Sequence, residues 1–162
     1  MRINFLIVTF TIFFSLCSSV SGKDNRKEMR TIIDKGLNTA IEQSKQMAEK
    51  LLGQKDELPR TIGKRGMFIT SNAGAWTSGF FPGVLWYLYE ADGDASLKMY
   101  AEDYTKRVEK QQFTTSNHDV GFILYCSYGN GWRLTGNEKY KKVMLQGAHS
   151  LSCLLYTSDA AD

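Results

Sequence analysis

Most of the chain carries apolar residues at the three- and four-residue spacing of a helix with one apolar face. Three segments show this pattern, and each is predicted to form a half-buried helix. The first of them is expected to end near Gly53, because glycine commonly follows the last turn of a helix. The apolar positions are Met29, Ile32, Ile33, Leu37, Ala40, Ile41, Met47, Ala48 and Leu51, then Leu97, Tyr100, Ala101, Tyr104 and Val108, and finally Tyr140, Val143, Met144, Ala148 and Leu151.

Two further segments, residues 80–89 and 120–134, are apolar on all sides. A helix without a polar face is buried all round, so both are predicted to be inner helices. Pro82 fits the first turn of the earlier one, where the backbone amide needs no partner within the helix. Residues 58–71 contain one proline and two glycines, and predict a long loop. No segment alternates with period two, so a sheet architecture is not expected.

The inner and outer helices alternate as an internal repeat. Gly79 and Gly121 open the two inner helices 42 residues apart, while Gly93 and Gly136 close them 43 residues apart. Each unit is therefore a helical hairpin of about 42 residues. Stacked hairpins form either an open solenoid or a closed α/α barrel, and inner helices without a polar face favour the barrel, where they are enclosed. The predicted fold is all-α.

Composition and charge exclude several classes of protein. The 162 residues include 20 Lys and Arg against 17 Asp and Glu, a net charge of +3 that argues against a nucleic-acid surface. The hydrophobic content of 43% is enough for a packed core. Cys126 is the one cysteine in the central part of the chain, and we expect it to be packed in the core because no histidine or acid stands at a motif spacing from it. No metal-ligand spacing or nucleotide-binding loop is found, so no cofactor is expected.

The first residues have the basic start, apolar run and small final residues of a secretory signal. We expect residues 1–22 to be removed after Ser21 or Gly22, and the mature protein to be periplasmic or secreted without a stable membrane span. Lipid attachment at Cys17 is less favoured, because the bulky Leu16 precedes it. The apolar run is also too short for a confident membrane span.

Candidate chemistry stands just before the two inner helices. Trp76 lies before the first and Asp119 before the second, so both belong to loops at the same end of the predicted barrel. Asn117 and His118 adjoin Asp119. Together these side chains can stack on a sugar ring, bind hydroxyl groups and transfer a proton at the rim of a concave scaffold.

Each of these residues also has a plain structural interpretation. Asp119 can be the N-cap of the helix that follows it, His118 a hydrogen-bonding loop residue, and Trp76 a core residue. His149, on an outer helix, is interpreted as structural. A group of basic residues is interpreted as a solvated helix face without a functional role, namely Arg133, Lys139, Lys141 and Lys142.

Several motifs resemble those of glycoside hydrolase family 88, the unsaturated glucuronyl hydrolases, and most of all the members that degrade glycosaminoglycans. The resemblance covers about residues 59–150, and the combination of its first and third motifs is more specific than either alone. The motifs are Ala75-Trp76-Thr77-Ser78-Gly79-Phe80-Phe81-Pro82-Gly83, Leu88-Tyr89-Glu90, Asn117-His118-Asp119-Val120-Gly121-Phe122, Tyr125-Cys126-Ser127-Tyr128-Gly129-Asn130 and Arg133-Leu134-Thr135-Gly136-Asn137.

The resemblance implies a six-hairpin α/α barrel, of which this chain would be the N-terminal part, and an unusual hydrolysis. Polysaccharide lyases leave a 4,5-unsaturated uronic acid at the non-reducing end of their products, and family members hydrate that double bond. By the same resemblance, Asp119 is one of two catalytic aspartates, Trp76 lines the uronate subsite and His118 helps to hold the ring. We favour Asp119 as the carboxylate that stabilises charge or assists proton transfer, rather than as the sole acid.

Three other functions remain open at this point. The related unsaturated rhamnogalacturonyl hydrolases share the barrel and the hydration chemistry. A non-catalytic sugar-binding barrel would use Trp76 for stacking and Asp119 only as a helix cap. An α-helical solenoid that binds proteins is the third, and it would show apolar or charged concave faces.

The last ten residues depart from the family pattern. Residues 153–162 are interpreted as the translation of a sequencing adapter joined to a shortened reading frame, and residues 23–152 as the N-terminal portion of the barrel. The second catalytic aspartate would then lie beyond this chain. We expect the 162-residue product to be inactive and prone to aggregation, because part of a barrel leaves inner helices without neighbours.

Overall fold

The computed structural model of the chain describes the backbone of residues 3–159 and the side chains of residues 25–153. The chain divides into two compact units, Met1–Ala40 and Ile41–Asp162. The main elements, in chain order, are helix α1 (Ile3–Lys50), strands β1 (Leu58–Ile62) and β2 (Phe68–Ser71), and helices α2 (Phe80–Asp92), α3 (Ala95–Arg107), α4 (Val120–Leu124), α5 (Asn130–Thr135) and α6 (Glu138–Asp159). Short turns of 3₁₀ helix lie at Lys64–Gly66 and Glu109–Phe113, and a π-helical turn at Tyr125–Gly129.

Helix α1 confirms the first predicted helix and ends at Lys50, three residues before Gly53. Its apolar positions in the first unit, including Met29 and Ile33, are exposed, whereas Ala48 in the second unit is fully buried. No helix in the described part of the chain is long and apolar enough to cross a membrane. The side chains of the predicted signal peptide and of almost all of the predicted adapter segment lie outside the described residues, so both assignments stay predictions.

Residues 58–71 form an antiparallel β-hairpin, and the prediction of a long loop was wrong. Leu58 pairs with Ser71 and Ile62 with Phe68. The turn works because Arg65 and Gly66 both adopt positive φ angles, of 66° and 75°, which let the chain reverse within a few residues. Period-two alternation was invisible in the sequence because Leu58 alone of these residues is fully buried.

The two predicted inner helices are real, but they are not buried on all sides. Helix α2 buries Leu85 and Trp86 completely, while Val84 and Tyr87 on its other face are exposed. Residues 120–135 are helical as predicted, but the π-helical turn divides them into α4 and α5, and Tyr125 within that turn is 74% exposed. The outer side of each helix packs against α3 or α6, and no described element covers the other side, so its apolar residues face solvent.

Helix α3 packs against α1 and α2 through its predicted apolar face. The Trp86 indole nitrogen donates a hydrogen bond to Thr105 Oγ1 at 2.9 Å, in a buried position. The Tyr104 hydroxyl donates to the backbone oxygen of Ala48 at 2.8 Å, and its ring meets Phe81 edge-on at 4.9 Å. These contacts place a small aromatic core between the three helices.

Arg107 holds the segment after α1 in place. Its Nη1 donates to three backbone oxygens, those of Leu51, Gln54 and Glu57, at 2.9–3.2 Å. Its other side donates to Asp103 at 2.7 Å and 3.0 Å. Local sequence spacing does not predict this role, because all three backbone acceptors lie 50 or more residues away.

The two helical hairpins end their inner helices in the same way, which supports the predicted repeat. Gly93 and Gly136 both adopt the left-handed conformation, with φ of 78° and 66°. Each amide donates a 2.8 Å hydrogen bond back to the carbonyl four residues earlier. The next residue then accepts a hydrogen bond at the start of the outer helix, Asp94 from Ser96 and Asn137 from Lys139.

Candidate active site

A close approach between α2 and the second hairpin brings the two candidate loops together. A β-carbon at Gly79 would lie 2.6 Å from the Cα of Ile123, and one at Gly83 would lie 2.8 Å from the backbone oxygen of Cys126. Only residues without a side chain permit contacts this short. The N-terminal ends of α2 and α4 therefore lie side by side, as the repeat predicted.

Three aromatic rings connect these ends. Trp76 meets Phe80 edge-on with ring centroids 5.6 Å apart, and Phe80 meets Phe122 at 6.3 Å. Trp76 is 51% exposed, so the alternative that it is a core residue was wrong. The large exposed surface of its indole can stack on a sugar ring next to α4.

Asp119 does not act as the cap of α4. Its carboxylate accepts no capping hydrogen bond from the helix. The side chain of Asn117 does this work instead, since its Oδ1 accepts the Asp119 backbone N–H at 2.9 Å. The alternative that Asp119 is an N-cap was therefore wrong, and its carboxylate is not committed to the helix end.

His118 and Asp119 form a loose polar pair directly before α4. Nε2 of His118 lies 3.5 Å from Oδ1 of Asp119, and the imidazole is 83% exposed whereas the carboxylate side chain is 22% exposed. A carboxylate in a partly shielded position beside an accessible imidazole can stabilise positive charge, accept a proton or hold a water molecule. The structure thus brings Asn117, His118 and Asp119 together on one short loop.

The other candidates stay apart from this loop. Cys126 is half-buried, and burial raises the pKa of its thiol, which fits the predicted packing role. His149 is exposed on α6. Within residues 25–153, no three His, Cys, Asp or Glu side chains are grouped as metal ligands.

The sequence pattern did not predict an ion pair that lies near the C-terminal ends of the inner helices. Arg133 donates to both carboxylate oxygens of Glu90, at 2.6 Å and 2.7 Å, and its guanidinium lies 5.6 Å from the ring centroid of Tyr87. Arg133 is exposed, as predicted, but it has a partner in Glu90. The hydrogen bond to Arg133 lowers the pKa of Glu90. The repeat could have indicated this ion pair, since Glu90 and Arg133 each stand three residues before the closing glycine of their helix.

Three characterised proteins are similar to this chain in sequence. The unsaturated glucuronyl hydrolase of Formosa agariphila is 43% identical over 77 residues, which are 47% of this chain and 19% of that protein. The unsaturated glucuronyl hydrolase of Bacillus sp. strain GL1 is 26% identical over 59% of this chain and 26% of its own length. The unsaturated chondroitin disaccharide hydrolase of Streptococcus pyogenes is 27% identical over 60% of this chain and 25% of that protein. No family model matches the chain.

Two crystal structures share its fold. An unsaturated glucuronyl hydrolase specific for heparin superposes with a TM-score of 0.63 and 35% identity, over 73% of this chain and 32% of that one. The Bacillus sp. GL1 enzyme superposes with a TM-score of 0.60 and 25% identity, over 71% of this chain and 32% of that one. The chain therefore spans about a third or less of the length of its relatives.

Both the fold and the sequence of the chain match these relatives. The helical hairpins of the second unit are those of the N-terminal portion of an α/α barrel. The motif residues Trp76, His118 and Asp119 lie at the adjoining N-terminal ends of two inner helices. The chain is therefore similar to unsaturated glucuronyl hydrolases, the family that its motifs resemble, and it matches part of their barrel.

Proposed function

We propose that this chain is part of a glycoside hydrolase that acts on unsaturated uronic acids at the non-reducing ends of lyase-generated oligosaccharides. The observation that carries the proposal is the uncommitted carboxylate of Asp119. It directly precedes the inner helix α4, whose Phe122 is connected to the exposed Trp76 through the ring of Phe80. A carboxylate that is not occupied by helix capping is available for acid–base work on a sugar held against these rings.

The reaction we propose is the hydration of a vinyl ether. A proton adds to C4, the C4–C5 double bond supplies the electron pair, and positive charge develops at C5 and the ring oxygen. Water adds at C5 and gives up a proton, and the resulting hemiketal opens and expels the rest of the sugar. The carboxylate of Asp119 would stabilise the positive charge or take the proton from water.

Trp76 and His118 would place the sugar for this step. The exposed indole offers an apolar face to the uronate ring. The imidazole of His118, which is largely exposed on the loop before α4, can hydrogen-bond a ring hydroxyl or the carboxylate of the sugar. Both groups act on the position of the ring, so their removal should affect binding more than chemistry.

The substrates we propose are fragments of glycosaminoglycans. The relatives include a chondroitin disaccharide hydrolase, and one similar structure is described as specific for heparin. The site would take the unsaturated end of such fragments, and no cofactor is required. We also propose that the protein is exported to the periplasm or the medium, with cleavage after Ser21 or Gly22.

The test is an assay of the full-length protein against lyase-generated disaccharides of chondroitin, hyaluronan and heparin. Turnover is followed as the loss of the ultraviolet absorbance of the unsaturated uronate. We expect Asp119→Asn to lower kcat by about 100-fold or more, the usual contribution of an acid–base group. Asp92→Asn, which changes an exposed carboxylate at the opposite end of α2, is the control and should be unaffected.

The outcomes separate the catalytic function from the non-catalytic one. Near-normal turnover in Asp119→Asn would refute the role of this carboxylate. A wild-type protein that binds the disaccharides through Trp76 but never consumes the double bond would be a sugar-binding barrel instead. Turnover only of rhamnogalacturonan-derived fragments would point to the related hydrolases.

A further inference from the structure

A groove runs between the β-hairpin and α2, next to the candidate active site. Its volume is about 250 Å³. Pockets for drug-sized ligands are roughly 300–1,000 Å³, so this groove fits about one sugar ring or the substituent of a neighbouring ring. Phe68 of the hairpin and Phe80 of α2 are among its walls.

Arg60 lines this groove from a β-bulge. Pro59 pairs with Thr70 and Thr61 pairs with Ile69, so Arg60 is the extra residue between two paired positions. A bulge bends its strand and redirects a side chain, and such bulges are common beside active sites. The irregularity is thus located at the one charged residue of the groove.

The groove carries positive charge without a carboxylate. Arg60 is exposed, and among its other lining residues there is no acidic side chain and no second basic one. No salt bridge in the described part of the chain involves Arg60. Lys50 adds a second cation at the edge, since its Nζ lies 5.4 Å from the ring centroid of Phe68. An anionic group would therefore be attracted into the groove, and nothing within it would repel that group.

The groove adjoins the surface on which the sugar would stack. Phe80 forms its wall and also meets Trp76 edge-on at 5.6 Å, while Thr77, the residue after Trp76, lines it as well. A sugar ring on Trp76 would therefore lie next to the groove, and a substituent or a next ring that enters the groove would meet Arg60. The planar guanidinium matches the geometry of a carboxylate or a sulfate.

We propose that Arg60 and this groove form a subsite for an oxyanion of the oligosaccharide, either a carboxylate or a sulfate. The proposal rests on the proposed function, because it assigns to that site a further group that selects anionic sugars. Arg60 contacts substrate away from the reacting double bond. It therefore strengthens the binding of substrate and transition state equally.

The experiment compares Arg60→Gln with Arg65→Gln in the full-length protein. Arg65 is the matched control, because it is an exposed arginine at the tip of the same hairpin and does not line the groove. Each variant is assayed with a sulfated and an unsulfated unsaturated disaccharide, and direct binding is measured by calorimetry. We expect Arg60→Gln to raise KM and Kd about tenfold with kcat unchanged, as for the loss of one charge-assisted hydrogen bond. Arg60→Lys should lose less, and Arg65→Gln should match the wild type.

The two substrates identify the oxyanion. A higher KM for both disaccharides indicates that Arg60 binds the uronate carboxylate, and a higher KM for the sulfated one alone indicates a sulfate; either result supports the subsite. Wild-type KM and Kd in Arg60→Gln for both substrates would overturn it. A protein without turnover that still loses binding in Arg60→Gln would contradict the proposed hydrolysis and leave the subsite standing. Thermal unfolding of each variant shows that the fold is retained.

Discussion

Two polar residues of one loop, Asn117 and Asp119, have different partners at the start of α4. Asn117 accepts the backbone N–H of Asp119, and the carboxylate of Asp119 remains available beside His118. Either side chain could have satisfied this helix end, because asparagine and aspartate are equally good caps. The choice of the uncharged residue as the cap is what leaves a charged group for chemistry.

This division predicts opposite effects on stability and activity. Asn117→Ala removes the acceptor of a backbone amide and should lower the free energy of unfolding by about 0.5–2 kcal/mol. Asn117→Ser keeps an acceptor and should recover most of that loss. Asp119→Asn should change stability by less than about 0.5 kcal/mol, because the carboxylate makes no cap. Urea unfolding of the full-length variants is the measurement, and the reverse order of the two effects would show that Asp119 is the cap.

At the scale of whole elements, the ends of helices carry most of the specific polar contacts. Gly93 and Gly136 end two inner helices with the same backbone conformation, and the residue after each glycine caps the outer helix that follows. Asp94 has one more partner than the other cap, because it also forms an ion pair with Lys45 of α1. One side chain therefore joins α1 to the start of α3.

Asp94 predicts a dependence of stability on pH. The hydrogen bond from Lys45, followed by those from Ser96, lowers the pKa of this carboxyl well below its usual range. A lowered pKa in the folded state gives stability that is complete above the unfolded pKa, near 4, and that is lost as the pH falls below it. We expect the melting temperature to fall between about pH 4.5 and pH 2.5 more steeply in the wild type than in Asp94→Asn.

The variant separates the ion pair from the cap. Asparagine can still accept the Ser96 amide, so Asp94→Asn should be less destabilised at pH 7 than Asp94→Ala. Melting curves recorded by circular dichroism across this pH range test both statements. Parallel pH profiles of wild type and Asp94→Asn would show that the ion pair contributes nothing.

At the scale of the whole molecule, one side of each inner helix is covered and the other is open. Tyr87 on α2 and Phe122 on α4 are each more than half exposed, and so is Tyr125 in the π-helical turn that follows α4. Apolar groups gathered on one surface are typical of an interface that another part of a protein covers. The same groups make a chain that exposes them prone to associate.

The exposed face predicts the behaviour of the 162-residue chain in solution. We expect it to aggregate and to bind a hydrophobic dye, and we expect Val84→Lys on the open face of α2 to reduce both. Met99→Lys, which changes an exposed methionine on the outer helix α3, should have a smaller effect. Size-exclusion chromatography and dye fluorescence provide the readouts. A monomeric wild-type chain with a single cooperative unfolding transition would contradict the prediction.

The sequence alone was sufficient for the features that depend on neighbouring residues. Helix periodicity, the closing glycines, the 42-residue repeat and the motif residues Trp76, His118 and Asp119 could all be read from it, because each follows from local spacing. The β-hairpin could not, because its strands bury little and show no alternation.

Only the tertiary structure decided which partners these residues have. Asn117 rather than Asp119 caps α4, Arg133 pairs with Glu90, and Arg107 binds the chain after α1. The last two contacts join residues 43 to 56 positions apart. Hydrophobic spacing states which side of a helix is buried, but not what lies against it. The physical reason is that a periodic pattern is set by one helix, whereas a polar contact needs two elements that packing has already brought within hydrogen-bonding distance.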